Sequence, residues 1–255
     1  MLVEQRFFIG MDLSKIRWAT GGAIAVLLVY LALYQPRWLF SLLHLATPSA
    51  VYRIDTNEKI IALTIDDGPH PDTTEQILHI LERHGAQATF FVLSSRLEHQ
   101  PAIGQRLIDL GHELGHHMTV DEASIRLSRN EFARKFDLAH RQISPYGHRR
   151  WFRPGMGWYR SSMITHARRR GYCLVLGSLF PYDTHIPLVR FGRWFVLQNL
   201  TPGDILVLHD GPKGRGERTA ALLDQLLPAM KARGYQVVSL SAAAQKTDSL
   251  NTGCL

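Results

Sequence analysis

The chain has 255 residues, 45% of them hydrophobic and 20% charged, which is enough apolar material for one sizeable core and excludes a disordered polymer. Two cysteines, Cys173 and Cys254, exclude a disulfide framework, and no C-x-x-C pair supports a thiolate zinc site. The net charge of +7 is concentrated in "HRR" (148–150), "ARRR" (167–170) and "KGRGER" (213–218). These clusters read either as a solvated basic face or as an attraction for an anionic lipid, carrier or polymer, and no nucleic-acid motif accompanies them.

In chain order, the first element is an apolar run at 18–34, "WATGGAIAVLLVYLALY", preceded by Lys15 and Arg17. It is just short of the roughly 18–20 residues of a spanning helix. Retention as an uncleaved anchor is the expectation. Cleavage at "ATPSA" (46–50) is the alternative, because bulky "YQPRWLF" intervenes. A short basic N-terminus predicts N-in topology and a main domain outside the cytoplasm. "WLFSLLHL" (38–45) would lie along the membrane interface with Trp38 as an anchor. Residues 1–50 are therefore assigned to the anchor and juxtamembrane segment, 51–245 to the main domain and 246–255 to a flexible tail.

From about Glu58 the pattern alternates between short strands and helices. "IIALTID" (60–66), "ATFFVLS" (88–94), "WFRPG" (151–155), "CLVLG" (173–177), "DILVLHD" (204–210) and "QVVSLS" (236–241) read as strands. "TTEQILHILERHG", "PAIGQRLIDLG" and "RTAALLDQLLPAMKARG" read as helices, and "SRNEFARKFDLAHRQI" opens with Ser128 and Glu131 in capping-box spacing. Repeated β-α alternation predicts a parallel sheet, open or closed into a barrel. "AAAQKTDSLNTGCL" reads as a frayed end.

Active-site residues in β/α folds gather at the C-terminal ends of strands. The strand tips carry "TIDDGPHP" with Asp66 and Asp67, "WFRPG" with Arg153 and "VLHDG" with His209. Asp-Gly is also an ordinary turn signal, and a lone histidine is more often packing than chemistry. Together the residues form a coherent set: Arg153 can hold a carboxylate ionised, and His209 can protonate a leaving group near neutral pH.

The strand-tip motifs are similar to those of the polysaccharide deacetylases (the NodB-homology domain, carbohydrate esterase family 4). "TIDDGP" resembles the family's T-F-D-D-G-P, "GHELGHH" its G-H-E-[IL]-G-N-H, "FRPGMG" its F-R-x-P-Y-G and "PYDT" its motif ending in Asp-Trp, while "ILVLHD" resembles the fifth motif. The resemblance covers roughly Glu58 to Ser241 and implies a distorted (β/α) barrel. It also implies a metal-dependent hydrolase that removes N-acetyl or related N-acyl groups from amino-sugars, in a polysaccharide or a lipid-linked sugar.

By this resemblance Asp66 is the general base, Asp67 and His117 bind a divalent ion, and Arg153 tethers Asp66. The backbone N–H of Met156, where the family has tyrosine, helps form the oxyanion hole, and Asp183 orients the general acid His209. The family's second ion-binding histidine corresponds to Asp121, so the implied set is Asp67, His117 and Asp121. Two carboxylates and one imidazole shift preference toward harder ions such as Mn²⁺ or Mg²⁺, with Zn²⁺ and Co²⁺ still possible. Thr184 stands where the family has tryptophan.

Two other readings stay open: a carbohydrate-binding module of the same fold that has lost turnover, and a metalloprotease. "HELGH" (112–116) matches H-E-x-x-H in full, but that pattern requires a helix to put both histidines on one face. Gly111 and Gly115 suit a helix end and a short strand better.

Overall fold

The computed structural model describes residues 13–147 and 150–246, and the side chains of the first helix from residue 21 onward. Residues 148 and 149, Cys254 and the tail beyond 246 lie outside the described residues. The strands are β1 (Ala50–Val51), β2 (Ile60–Asp66), β3 (Thr89–Val92), β4 (Glu113–His116), β5 (Trp151–Phe152), β6 (Cys173–Val175), β7 (Ile205–His209) and β8 (Gln236–Val238). The first five helices are α1 (Leu13–Tyr34), α2 (Arg37–Ala46), α3 (Thr74–His84), α4 (Ser94–His99) and α5 (Pro101–Asp109). The remainder are α6 (Arg129–Ile143), α7 (Ser161–Arg169), α8 (Val189–Asn199), α9 (Arg215–Ala232) and α10 (Leu240–Gln245).

All named strands join one parallel sheet in the order β1-β6-β5-β4-β3-β2-β7, with β8 on the N-terminal half of β2. The expected barrel is a curled sheet whose ends, among the described residues, meet only through single bridges, Leu179 to Leu206 and Arg53 to Asp204. A short edge strand explains this, because two-residue β1 offers too few hydrogen bonds for full closure. β2 is buried along its whole length and forms the axis of the fold. Apolar faces of α3, α8 and α9 pack one side of the core around Ile77, Leu81, Phe195, Leu223 and Leu226. A second cluster of Phe132, Phe136, Phe152 and Tyr172 fills the space under α6 and α7. The α6 capping box is present, with Ser128 Oγ accepting from the Glu131 N–H at 3.3 Å and Glu131 Oε2 accepting from the Ser128 N–H at 2.9 Å. Such a cap is worth about 1 kcal/mol.

Several expected boundaries shift. β5 stops at Phe152, because Pro154 has no N–H for a ladder and Met156 takes φ 59. β8 stops at Val238, because Ser239 turns into a helix cap that accepts from the Ala242 N–H. The start of the expected frayed end is therefore α10, held by buried Leu240, Ala243 and Ala244.

"HELGH" is strand β4. His112 and His116 consequently share no helix face, which removes the metalloprotease reading. His116 belongs to the core instead: its ring stacks on Phe136 at 4.1 Å and its Nε2–H donates to Phe136 O at 3.0 Å. His112 accepts from the Ala88 N–H, and burial pushes its pKa down to about 4.

No single helix among the described residues is long and apolar enough to cross a membrane. Gly21–Tyr34 and Arg37–Ala46 meet that test only as a pair bent by 98°. α2 buries Phe40 against the domain and leaves Trp38, Leu42, Leu43 and Leu45 exposed.

Candidate active site

Strand register assembles the site. In the β2–β7 pair Asp66 lies beside His209, so the two tips deliver their side chains to one place. Thr64 and Asp66, two apart on one strand, share a face, and both bind the guanidinium of Arg153. Its Nη1 donates to Asp66 Oδ1 at 2.5 Å and to Thr64 Oγ1 at 2.9 Å, and its Nε to Val175 O at 3.2 Å. The guanidinium also lies 4.2 Å from the centroid of the Phe91 ring. The side chains of Arg153 and Asp66 keep only 3% and 4% of their exposure. This is a buried, oriented ion pair that leaves Asp66 Oδ2 free to face the site.

His209 is fixed as tightly. Its Nδ1–H faces both Asp183 oxygens at 3.0 and 3.1 Å, and its backbone N–H donates to Asp183 Oδ2 at 2.8 Å. Burial disfavours the imidazolium, but the Asp183 charge and hydrogen bond, with Asp66 and Asp67 beyond, raise the pKa to about 9. His209 therefore stores a proton at neutral pH.

Asp67 follows the end of β2 with φ 73, a left-handed conformation that aspartate tolerates better than most residues. Its carbonyl accepts from Arg96 Nη1 at 2.8 Å. His117 follows β4, and its Nδ1–H donates to Arg153 O at 2.8 Å. Nε2 is thereby turned toward Asp67 Oδ1 at 3.3 Å and Asp66 Oδ2 at 3.9 Å. Burial opposes charge on His117, yet the two aspartates raise its pKa. Burial likewise opposes charge on Asp67, but His117, His209 and Arg215 hold it down at about 2.

Asp121 does not join them. Its side chain is 41% exposed, and its nearest charged partner is Arg215 Nη1 at 3.8 Å. The same Nη1 donates to Asp67 Oδ2 at 2.6 Å. A guanidinium therefore bridges the two carboxylates expected to bind an ion. Among the described residues no group of three or more histidine, cysteine, aspartate or glutamate side chains is arranged to hold a metal ion. Asp67 and His117 come together, but the three-ligand set implied by the resemblance does not fit as arranged. The physical reason is charge, since Arg215 already places a cation on Asp67 and within 3.8 Å of Asp121.

The Met156 loop is built around a small residue, Gly155. A Cβ at Gly155, where the family motif has proline, would lie 2.0 Å from Glu122 O. The Gly155 N–H donates to Ser124 Oγ at 2.9 Å, a bond proline could not make. Two of the departures from the family motifs, at 121 and at 155, thus lie in segments packed on each other. Met156 keeps φ 59 with its side chain 68% exposed, so its role would fall to the backbone N–H.

Sequence reasoning missed Arg215 and Arg96, both of which touch Asp67. Arg215 was counted in the basic cluster "KGRGER". The available signal was its place at the first turn of a helix, where a cation opposes the helix dipole.

A curled parallel sheet with a tethered carboxylate and a carboxylate-oriented histidine at adjacent strand tips defines an acid–base hydrolase architecture. Residues 53–175 match the polysaccharide deacetylase family model. A peptidoglycan-N-acetylglucosamine deacetylase of Bacillus cereus is 34% identical over 203 residues, covering 76% of this chain and 92% of that protein. A chitooligosaccharide deacetylase of Sinorhizobium fredii is 30% identical over 202 residues, covering 74% and 94%. A crystal structure of a peptidoglycan N-acetylglucosamine deacetylase superposes with a TM-score of 0.73 at 25% identity, over 78% of this chain and 94% of that one. The chain belongs to the polysaccharide deacetylase family.

Proposed function

We propose that this protein hydrolyses the N-acetyl amide of an amino-sugar, in an N-acetylglucosamine polymer or a lipid-linked sugar. The observation that carries the reading is the pairing of Asp66–Arg153 with Asp183–His209 at neighbouring strand tips, in a chain similar to named deacetylases. The Asp66 carboxylate takes a proton from water as its oxygen attacks the amide carbon. The Met156 N–H donates to the oxyanion of the tetrahedral intermediate. The His209 imidazolium protonates the leaving nitrogen, the C–N bond breaks, and acetate and a free amine result. The divalent ion implied by the resemblance does not fit the donors as they stand, and no step is routed through it.

The N-terminal helices would hold the domain at a membrane with its site outside the cytoplasm. An apolar surface including Ile24, Leu28 and Tyr34 on α1 and Trp38 and Leu45 on α2 supports this. Recovery of the full chain in the membrane fraction, with the domain sensitive to externally added protease, is the expected result.

The catalytic reading is tested by acetate release from N-acetylglucosamine oligomers, with Asp66→Asn and His209→Ala as controls. Release by the wild-type chain and none by the controls is expected. Oligomer binding without release would favour the binding-module alternative, to which the Arg215–Asp67 pair lends support.

A further inference from the structure

We propose that the Arg215 guanidinium is the resident cation of the Asp67–Asp121 pair, and that a divalent ion reaches Asp67 and His117 only by displacing it. The inference concerns ion binding and rests on the deacetylase reading only for the identity of the site.

Four observations carry it. Arg215 Nη1 is 2.6 Å from Asp67 Oδ2 and 3.8 Å from Asp121 Oδ2, so the guanidinium hydrogen-bonds Asp67 and lies within ion-pair distance of Asp121. Asp67 is almost fully buried, and a buried carboxylate needs a paired charge. The backbone is shaped to supply that charge: Lys213 and Gly214, both left-handed at φ 61 and 72, turn the chain so that the first residue of α9 faces the tip of β2. A lysine at φ > 0 is uncommon, and an arginine at a helix N-terminus runs against the dipole. Local preferences broken at both Lys213 and Arg215, either side of Gly214, mark a place shaped for something other than helix stability.

The two cations cannot share the site. Arg215 Nη1 holds Asp67 Oδ2 while His117 Nε2 faces Oδ1 of the same carboxylate, so an ion between Asp67 and His117 would share one carboxylate with the guanidinium, and the two positive charges would repel. Arg215 is therefore a competitor of high local concentration, tied to the ring of ligands by the fold. An ion's apparent affinity falls by the fraction of time the site is free, so a site open one tenth of the time binds about tenfold more weakly. Arg215 keeps 26% of its side-chain exposure, which gives it somewhere to go when displaced. Asp121, in this view, is the outer partner that holds the guanidinium in place and does not ligate the ion.

The experiment is equilibrium dialysis or titration calorimetry of Mn²⁺, Co²⁺ and Zn²⁺ against the full wild-type chain and Arg215→Gln, Arg215→Lys, Asp121→Asn and Asp67→Asn/Arg215→Gln variants. Thermal melting checks that each is folded. Arg215→Gln is expected to bind one ion per chain at least tenfold more tightly than wild type. Arg215→Lys should stay close to wild type, and the double variant should lose the gain. Asp121→Asn should bind as tightly as wild type or more tightly. Equal ion affinity in wild type and Arg215→Gln, or no binding by either, overturns the proposal. Weaker binding by Asp121→Asn makes Asp121 an ion ligand and overturns it as well. The readout is ion affinity, so failure here leaves the acetate-release test of deacetylation standing.

Discussion

The two halves of the strand-tip cluster are built in opposite ways. On the acid–base side, Asp66 and His209 each have a dedicated partner held by the fold. Arg153 is buried and bonded to three acceptors, and Asp183 grips both the ring and the backbone of His209. On the other side, Asp67 is reached by a helix-borne guanidinium that keeps part of its exposure and shares itself with a 41% exposed carboxylate. The first half is preorganised and needs no rearrangement at the moment of reaction. The second is exchangeable, because its charges are matched by a group that can leave.

The comparison fails most visibly if the rigid half proves dispensable. Asp66→Asn and His209→Ala are each expected to lower kcat/KM on N-acetylglucosamine oligomers by about 10²–10⁴-fold, the usual scale of a lost acid or base. Activity within a few-fold of wild type in either variant would move the chemistry elsewhere.

Stability separates the halves next. Removing Arg153 strands Asp66 in the interior, and Arg153→Met should cost about 3–5 kcal/mol. Arg153→Met with Asp66→Asn should recover part of it. Arg215→Gln leaves buried Asp67 paired with His117 and should cost less, about 1–3 kcal/mol. Urea denaturation of the three variants reads the difference, and similar costs for Arg153→Met and Arg215→Gln would erase the distinction.

The His209–Asp183 pair makes a smaller, pH-dependent mark. His209 is raised from its ordinary value to about 9. The pair's contribution to stability is therefore complete below the unfolded pKa near 6.5 and is lost as pH rises through about 9. Activity that needs the imidazolium should fall over the same alkaline range. Asp183→Asn removes the main raising influence, so the alkaline limb should move down by a unit or more. A limb that stays near pH 9 in Asp183→Asn would mean that another group sets it.

Much of this was legible in the sequence, and the reason differs by region. Buried β2 and β7 read as continuous apolar runs that end on Asp66 and His209, with Asp67 the next residue after β2. Arg153 was readable because the glycine- and proline-bearing turn after "WF" marks a strand tip. The barrel's incomplete closure was not readable, because two-residue β1 leaves no periodic signal. Arg215 was hidden for a different reason. A basic cluster looks the same in sequence whether its side chains face solvent or fold back, and the turn at Lys213 and Gly214 decides which. Nor could spacing alone reveal that Asp121 faces a guanidinium.

The smallest expected effect comes from a contact between the N-terminal helices and the rigid half. At the bend between α1 and α2, the Gln35 amide accepts from the Phe180 N–H at 2.8 Å and donates to Phe180 O at 3.0 Å. Tyr182, next to Asp183, donates its hydroxyl to Ala32 O at 2.8 Å. The loop that carries the orienting carboxylate is therefore pinned to the helix pair. Gln35→Ala breaks these two neutral hydrogen bonds and a third, from Gln35 Nε2 to the Tyr182 hydroxyl at 3.3 Å, about 1 kcal/mol each. If a fraction of that reaches the positioning of Asp183, kcat should fall about two- to fivefold, which corresponds to roughly 0.4–1 kcal/mol on the barrier. Because Asp183 itself is retained, the alkaline limb should stay where it is, in contrast to Asp183→Asn. Unchanged kcat in Gln35→Ala would reduce the α1–α2 junction to an attachment. A moved alkaline limb would instead show that the helices set the charge of His209 as well as its place.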